Sequence, residues 1–113
     1  SVASRHSAAS VESMFGDEGK LKEVFRACRN GKTKVVKQAL DDGTADIGDM
    51  DLKGDTLLHV AAAQGHKSLA KELLRRGGDV EGKNFAGKTP HELAHDFRYW
   101  ELGDYLRERA GLQ

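Results

Sequence analysis

With 113 residues and a mass of 12.4 kDa, the chain fits one small domain. Its 38% hydrophobic and 32% charged content suits a soluble fold with a modest core and argues against disorder throughout. Eighteen basic side chains cancel eighteen acidic ones, which excludes a bulk electrostatic nucleic-acid or membrane binder while leaving room for a local patch. Apolar runs such as residues 60–63 are far too short to span a bilayer. No basic segment followed by an apolar core opens the chain, so no secretory signal is expected. The single cysteine, Cys28, cannot form an internal disulfide, and an intracellular, cytoplasmic or nuclear, setting is the natural expectation. Thirteen glycines against one proline predict many tight connections with positive φ.

Residues 1–18 differ from the rest: Ser, Ala and Val dominate, with no sustained period. A flexible tail is the plain reading. Val11, Met14 and Phe15 nevertheless fall at i, i+3 and i+4, the spacing of a short capping helix that could dock near Leu21 and Phe25. From residue 20 the pattern is helical. Leu21, Val24, Phe25 and Cys28 recur on one face until Asn30-Gly31, and Val35, Val36, Ala39 and Leu40 follow until Asp42-Gly43. The spacing predicts two helices of about ten residues joined by a tight turn.

That punctuation returns twice. Gly54-Asp55-Thr56 and Gly87-Lys88-Thr89 lie 33 residues apart, as do Asp51 and Asn84, Ala61 and Ala94, Leu69 and Leu102, and Leu73 and Leu106. Ala27 to Gly31 aligns with Ala61 to Gly65 at an offset of 34, whereas Asp46-Ile47 aligns with Asp79-Val80 at 33. One residue is therefore inserted near residues 43–45. A 33-residue period of two short helices and a turn marks a stack of repeats, here about 20–50, 51–83 and 84–113.

The middle unit reads Asp51-Leu-Lys-Gly-Asp-Thr-Leu-Leu-His-Val-Ala-Ala-Ala-Gln-Gly-His66, then Leu69-Ala-Lys-Glu-Leu-Leu74 and Gly77-Gly-Asp-Val80. It resembles an ankyrin repeat, whose period and T-P-L-H-x-A core it follows with Leu57 in place of proline. The resemblance covers residues 20–111. It implies an all-α ankyrin-repeat solenoid of three helix-turn-helix repeats, with projecting β-hairpin loops and capping ends. Thr56 is then a helix cap, His59 a tie between turns, Gly65 a helix stop, and Thr89 the cap of the third unit. His66 is read as structural in the same way. The first unit lacks the Thr-x-x-His core, and the third puts His91-Glu92 in place of Leu-His and Arg98 in place of the inter-helix glycine. Both look like polar end caps.

Residues 91–95 also spell H-E-x-x-H, the helical spacing by which two histidines bind zinc beside a general base. A zinc-dependent hydrolase through His91, Glu92 and His95 is thus one alternative function, and a domain of a larger protein that merely positions another domain is the other. The string falls inside the repeat frame, and Arg98 and Glu101 stand where an extended zinc motif needs glycine and histidine. The expectation is therefore no catalysis, no metal and no cofactor. Cys28 occupies an alanine position and reads as a small buried hydrophobe. Lys20, Lys22, Arg26, Arg29, Lys32, Lys34 and Lys37 make the first unit basic. That charge would suit a phosphate or an acidic partner, against the plainer reading of a solvated face.

The resemblance further implies a non-catalytic protein–protein interaction module, monomeric by itself, that binds a protein or peptide on its concave side and contacts neither nucleic acid nor membrane. The positions implied are Met50, Leu52, Lys53 and Asp55 on one tip, and Lys83, Phe85, Ala86 and Lys88 on the next. Arg29, Asn30, Ala63, Gln64, Asp96 and Phe97 are those on the inner helices. Leu52 and Phe85 are apolar where exposure is expected, so each either anchors a partner or packs on a neighbouring tip.

Overall fold

A computed structural model describes residues 11–111, with side chains from residue 19 onward. Among the described residues six helices follow in order: α1 (Val11–Arg29), α2 (Thr33–Asp41), α3 (Leu57–Ala63), α4 (Lys67–Arg75), α5 (Pro90–Asp96) and α6 (Trp100–Arg109). They pair as α1/α2, α3/α4 and α5/α6, and first helices stack on first helices along the chain. Among the described residues no helix is long and apolar enough to cross a membrane.

The pairs bury one continuous core. Val24, Phe25, Ala27 and Cys28 of α1 meet Val36 and Ala39 of α2. Leu57, Leu58, Ala61 and Ala62 of α3 meet Leu69, Ala70 and Leu73 of α4, and Ala94, Leu102 and Leu106 close the last pair. Alanine at the facing positions keeps first helices thin, so that neighbouring units approach closely. The core extends through every unit, as stacked repeats require, because no single pair could bury its own apolar face.

The first helix is the largest departure from the sequence reading. Two helices of about ten residues were expected in this unit, yet α1 runs unbroken for 19 residues and passes through Gly16 and Gly19. Glycine costs only about 1 kcal/mol in a helix interior and does not by itself end one. Docking of Val11, Met14 and Phe15 concerns side chains outside the described residues.

The inter-helix turns show why glycine recurs. Gly31 and Gly65 have φ of 71° and 75°. A Cβ at Gly31 would come within 2.8 Å of the His66 ring, and one at Gly65 within 2.5 Å of the Tyr99 ring. Each turn thus needs glycine twice, for its backbone and for the ring that the next unit lays on it. Arg98 holds the equivalent left-handed turn in the last unit at φ 69°, the one non-glycine residue with positive φ among those described. The inserted residue of the first unit is Thr44. Its N–H and hydroxyl both bond Asp42 Oδ1, at 2.9 and 2.6 Å. Ala45 N–H then reaches Ala39 O as Gly78 N–H reaches Leu73 O in the next unit.

Charged side chains tie the second helices together. Arg76 bonds Glu72 within its own unit and reaches Asp41 of the first at 2.7 Å. Lys67 meets Glu101 at 3.0 Å, and Lys71 lies over the Tyr105 ring at 5.1 Å. These partly exposed contacts set register more than they add stability.

Candidate interaction surface

The loops between units form no β-strands among the described residues, so the expected β-hairpins reduce to turns. The one β pairing among the described residues is the isolated bridge between Met50 and Thr56. Side-chain acceptors hold each tip in shape. Asp51 Oδ1 accepts from the N–H groups of Lys53 and Asp55, at 2.9 and 3.0 Å. Asn84 Oδ1 accepts from those of Ala86 and Lys88, at 3.0 and 2.9 Å. Asn84 has a donor to spare, and its Nδ2 reaches back to Asp55 Oδ1 at 2.7 Å. The second tip therefore carries an amide where the first carries a carboxylate.

The two tips lie side by side. Phe85 N–H donates to Lys53 O at 3.0 Å. Its ring covers Gly54, where a Cβ would meet it at 2.5 Å. Even so, Phe85 is 73% exposed and Leu52, one unit earlier, is 96% exposed. The two readings of these residues therefore divide: Phe85 packs on the neighbouring tip and still shows most of its ring, whereas Leu52 stands free at the edge.

Arg29, Ala63 and Asp96 take equivalent places at the ends of α1, α3 and α5, with Asn30, Gln64 and Phe97 next to them. Met50, Lys53, Lys83, Ala86, Arg29, Asn30, Gln64, Asp96 and Phe97 are exposed, while Asp55, Ala63 and Lys88 are half-buried. Two expected contact residues are engaged with each other, since Lys88 Nζ meets Asp96 Oδ2 at 3.2 Å across the last unit. Asp55 is likewise held, by Asn84.

Part of this face is concave. An open groove of about 810 Å³ runs between α1 and the first tip, lined by Arg29, Met50, Leu52 and Lys53 of the expected set. Leu21, Lys22, Phe25, Arg26 and Asp51 complete the lining with Gly19. The sequence reading left these residues out of the surface, although Lys22, Arg26 and Arg29 at i, i+4 and i+7 form one helical stripe.

The two capping sites explain the neighbouring histidines. Thr56 N–H and Oγ1 lie 3.2 and 2.9 Å from His59 Nδ1, and His59 N–H returns to Thr56 Oγ1 at 3.3 Å. His59 Nε2 sits 3.0 Å from both Gly82 O and Lys88 O. Two carbonyls only accept, so the proton is on Nε2 and Nδ1 accepts. One buried imidazole thereby caps α3 and pins the loop of the following unit. His66 makes a related tie, its Nε2 reaching Arg29 O at 2.7 Å.

Glu92 occupies the repeat position of His59. Its Oε1 accepts Thr89 N–H at 2.9 Å, and its own N–H points to Thr89 Oγ1. The backbone bond from Thr89 holds the Glu92 carboxyl below the usual glutamate range. His91 Nδ1 lies 3.0 Å from Thr89 Oγ1, and His95 Nε2 lies 3.1 Å from Asp104 Oδ1. His91 and Glu92 are thus both engaged with Thr89, and His95 with Asp104. Among the described residues no group of three His, Cys, Asp or Glu side chains is placed to hold a metal ion. Cys28 is fully buried with its thiol 3.2 Å from Leu57 O, and burial pushes that thiol up to about 12.

Helix pairs stacked at a fixed period, joined by turns that project side by side, define a helical repeat protein whose exposed face is built from successive tips. The chain belongs to the ankyrin-repeat family: the family model described as "Ankyrin repeats (3 copies)" matches residues 24–111. The human SH3 and multiple ankyrin repeat domains protein 2 is 35% identical over 91 residues, covering 80% of this chain and 5% of that protein. A fission-yeast (Schizosaccharomyces pombe) ankyrin repeat-containing protein, P1E11.10, is 38% identical over 65% of this chain and 38% of its own length. Rat diacylglycerol kinase iota is 34% identical over 74% of this chain and 8% of its own. The chain thus spans a small part of the curated relatives it matches. Ankyrin repeats are in general non-catalytic modules for binding other proteins.

Proposed function

We propose that this stack binds a partner protein or peptide across its two tips and the ends of its first helices, without catalysis. The observation that supports the reading is the bond from Phe85 to Lys53, which joins the two tips into one surface. That surface exposes Met50, Leu52, Phe85 and Phe97 among polar neighbours. An apolar centre with a polar rim is the usual anatomy of an interface, and three units offer at most about 800 Å² per partner.

Leu52 is the cleanest probe, because nothing in the fold leans on it. A photo-crosslinking residue at Leu52 should capture the partner in a native extract, whereas one at Ser68 or Lys34, exposed on the second helices, should not. Leu52→Ala should then weaken binding of the captured partner by about 1–2 kcal/mol with helicity unchanged. Capture from Ser68 or Lys34 alone would move the interface to the second helices.

A further inference from the structure

The groove between α1 and the first tip combines an apolar floor with a one-sided charge. Phe25 is buried at its base with Leu21 beside it, and Met50 and Leu52 form the opposite lip. Lys22, Arg26, Arg29 and Lys53 surround that floor. No ion pair among the described residues occupies any of these four cations. The single lining carboxylate, Asp51, is already taken by two backbone N–H groups of its own tip. A chain with no net charge therefore gathers four cations against one carboxylate in one concave, partly apolar place.

Resting on the reading above and narrowing it, we propose that this groove takes an acidic amphipathic peptide segment of a partner protein. Its apolar side chains sit on Leu21, Phe25, Met50 and Leu52, and its carboxylates face Lys22, Arg26, Arg29 and Lys53. Charge complementarity selects this occupant: an apolar groove alone would accept any hydrophobic segment, whereas four cations against one carboxylate discriminate by sign. The arginines add bidentate carboxylate recognition. Residues 1–10 of the chain itself contain Arg5 and no acidic residue, and so do not complement the rim.

The test is an amide chemical-shift titration of the full isotope-labelled chain with three probes. These are a short peptide with Leu and Phe at helical spacing among glutamates, the same peptide with every glutamate changed to lysine, and single-stranded oligothymidine. The glutamate peptide should shift residues 21–29 and 50–53 and bind at least about tenfold more tightly than the lysine peptide, with the preference fading as salt rises. Lys22→Glu with Arg26→Glu, both exposed, should remove that preference while leaving the melting curve in place. Equal binding of both peptides, or tighter binding of oligothymidine, would overturn the proposal. Shifts confined to the rest of the tip face would overturn this groove but leave the broader reading standing. Shifts confined to α2 and α4 would overturn both. Binding that appears only after residues 1–10 are removed, or shifts at residues 21–29 produced by unlabelled chain alone, would assign the groove to the chain itself.

Discussion

The second and third units carry the same architecture under different constraints. In the second, position 59 is a histidine that caps its own helix and also reaches Gly82 O, at the end of its own unit, and Lys88 O, in the unit beyond. In the third, the same position is Glu92, which caps only. Gly65 ends α3 beneath the Tyr99 ring, whereas Arg98 makes the same left-handed turn with no further unit stacked on it among the described residues. Gly54 lies under the Phe85 ring, while a Cβ at Gly87 would meet nothing within 4 Å. A repeat position is therefore fixed by the neighbour stacked on it more than by its own helix. Where the described residues include no such neighbour, the position shows its local duty alone.

The largest test of this difference is at position 59 and its counterpart. His59→Ala removes a cap and leaves Gly82 O and Lys88 O without their donor, so it should cost about 3 kcal/mol in urea unfolding. Glu92→Ala removes a cap alone and should cost about 1 kcal/mol. Equal losses would refute the stacking argument. A smaller contrast is expected at the turns. Gly65→Ala puts a Cβ in the left-handed region and against Tyr99, and should cost about 2 kcal/mol. Arg98→Gly relieves the same backbone strain with no ring to consider, and should raise the melting temperature by a few degrees, about 1 kcal/mol. The smallest effect concerns pH. The folded pKa of Glu92 is depressed, first by the Thr89 backbone bond. Its contribution is full above the unfolded value and fades as pH falls through the folded one. Glu92→Gln should flatten that part of the acid limb below the ordinary glutamate value, and an unchanged slope would show that the cap does not depend on charge.

Much of the fold was legible because period and punctuation are local. Thr56, His59 and Gly65 could be assigned by position, and the insertion could be placed to within a residue or two of Thr44. The length of α1 was not legible, since Gly16 and Gly19 look like breakers and the 33-residue frame says nothing about residues before it. Contacts between units were hidden for another reason. A period shows which positions are equivalent, not which side chains cross from one unit to the next. Nothing in the spacing pairs Asn84 with Asp55 or Lys88 with Asp96, or lays Phe85 over Gly54. The groove was partly visible as a basic first unit, but its apolar floor depends on how close the first tip stands to α1.

Gly103 shows how a sequence string can arise without the chemistry it spells. It is buried in α6 where a Cβ would run into the His95 ring. One unit earlier the same two positions are Ala62 and Ala70, both fully buried. The last pair of helices has thus exchanged two equal side chains for a large one facing an empty one. Three residues before His95, the cap of α5 called for a carboxylate and received Glu92. Two unrelated decisions, one about volume and one about an unpaired N–H, happen to stand at the separation of a zinc motif. In a repeat stack, letters are chosen column by column, each for its own neighbour. A word read along the row can therefore be an accident of columns, and the unit next to it is the place to check.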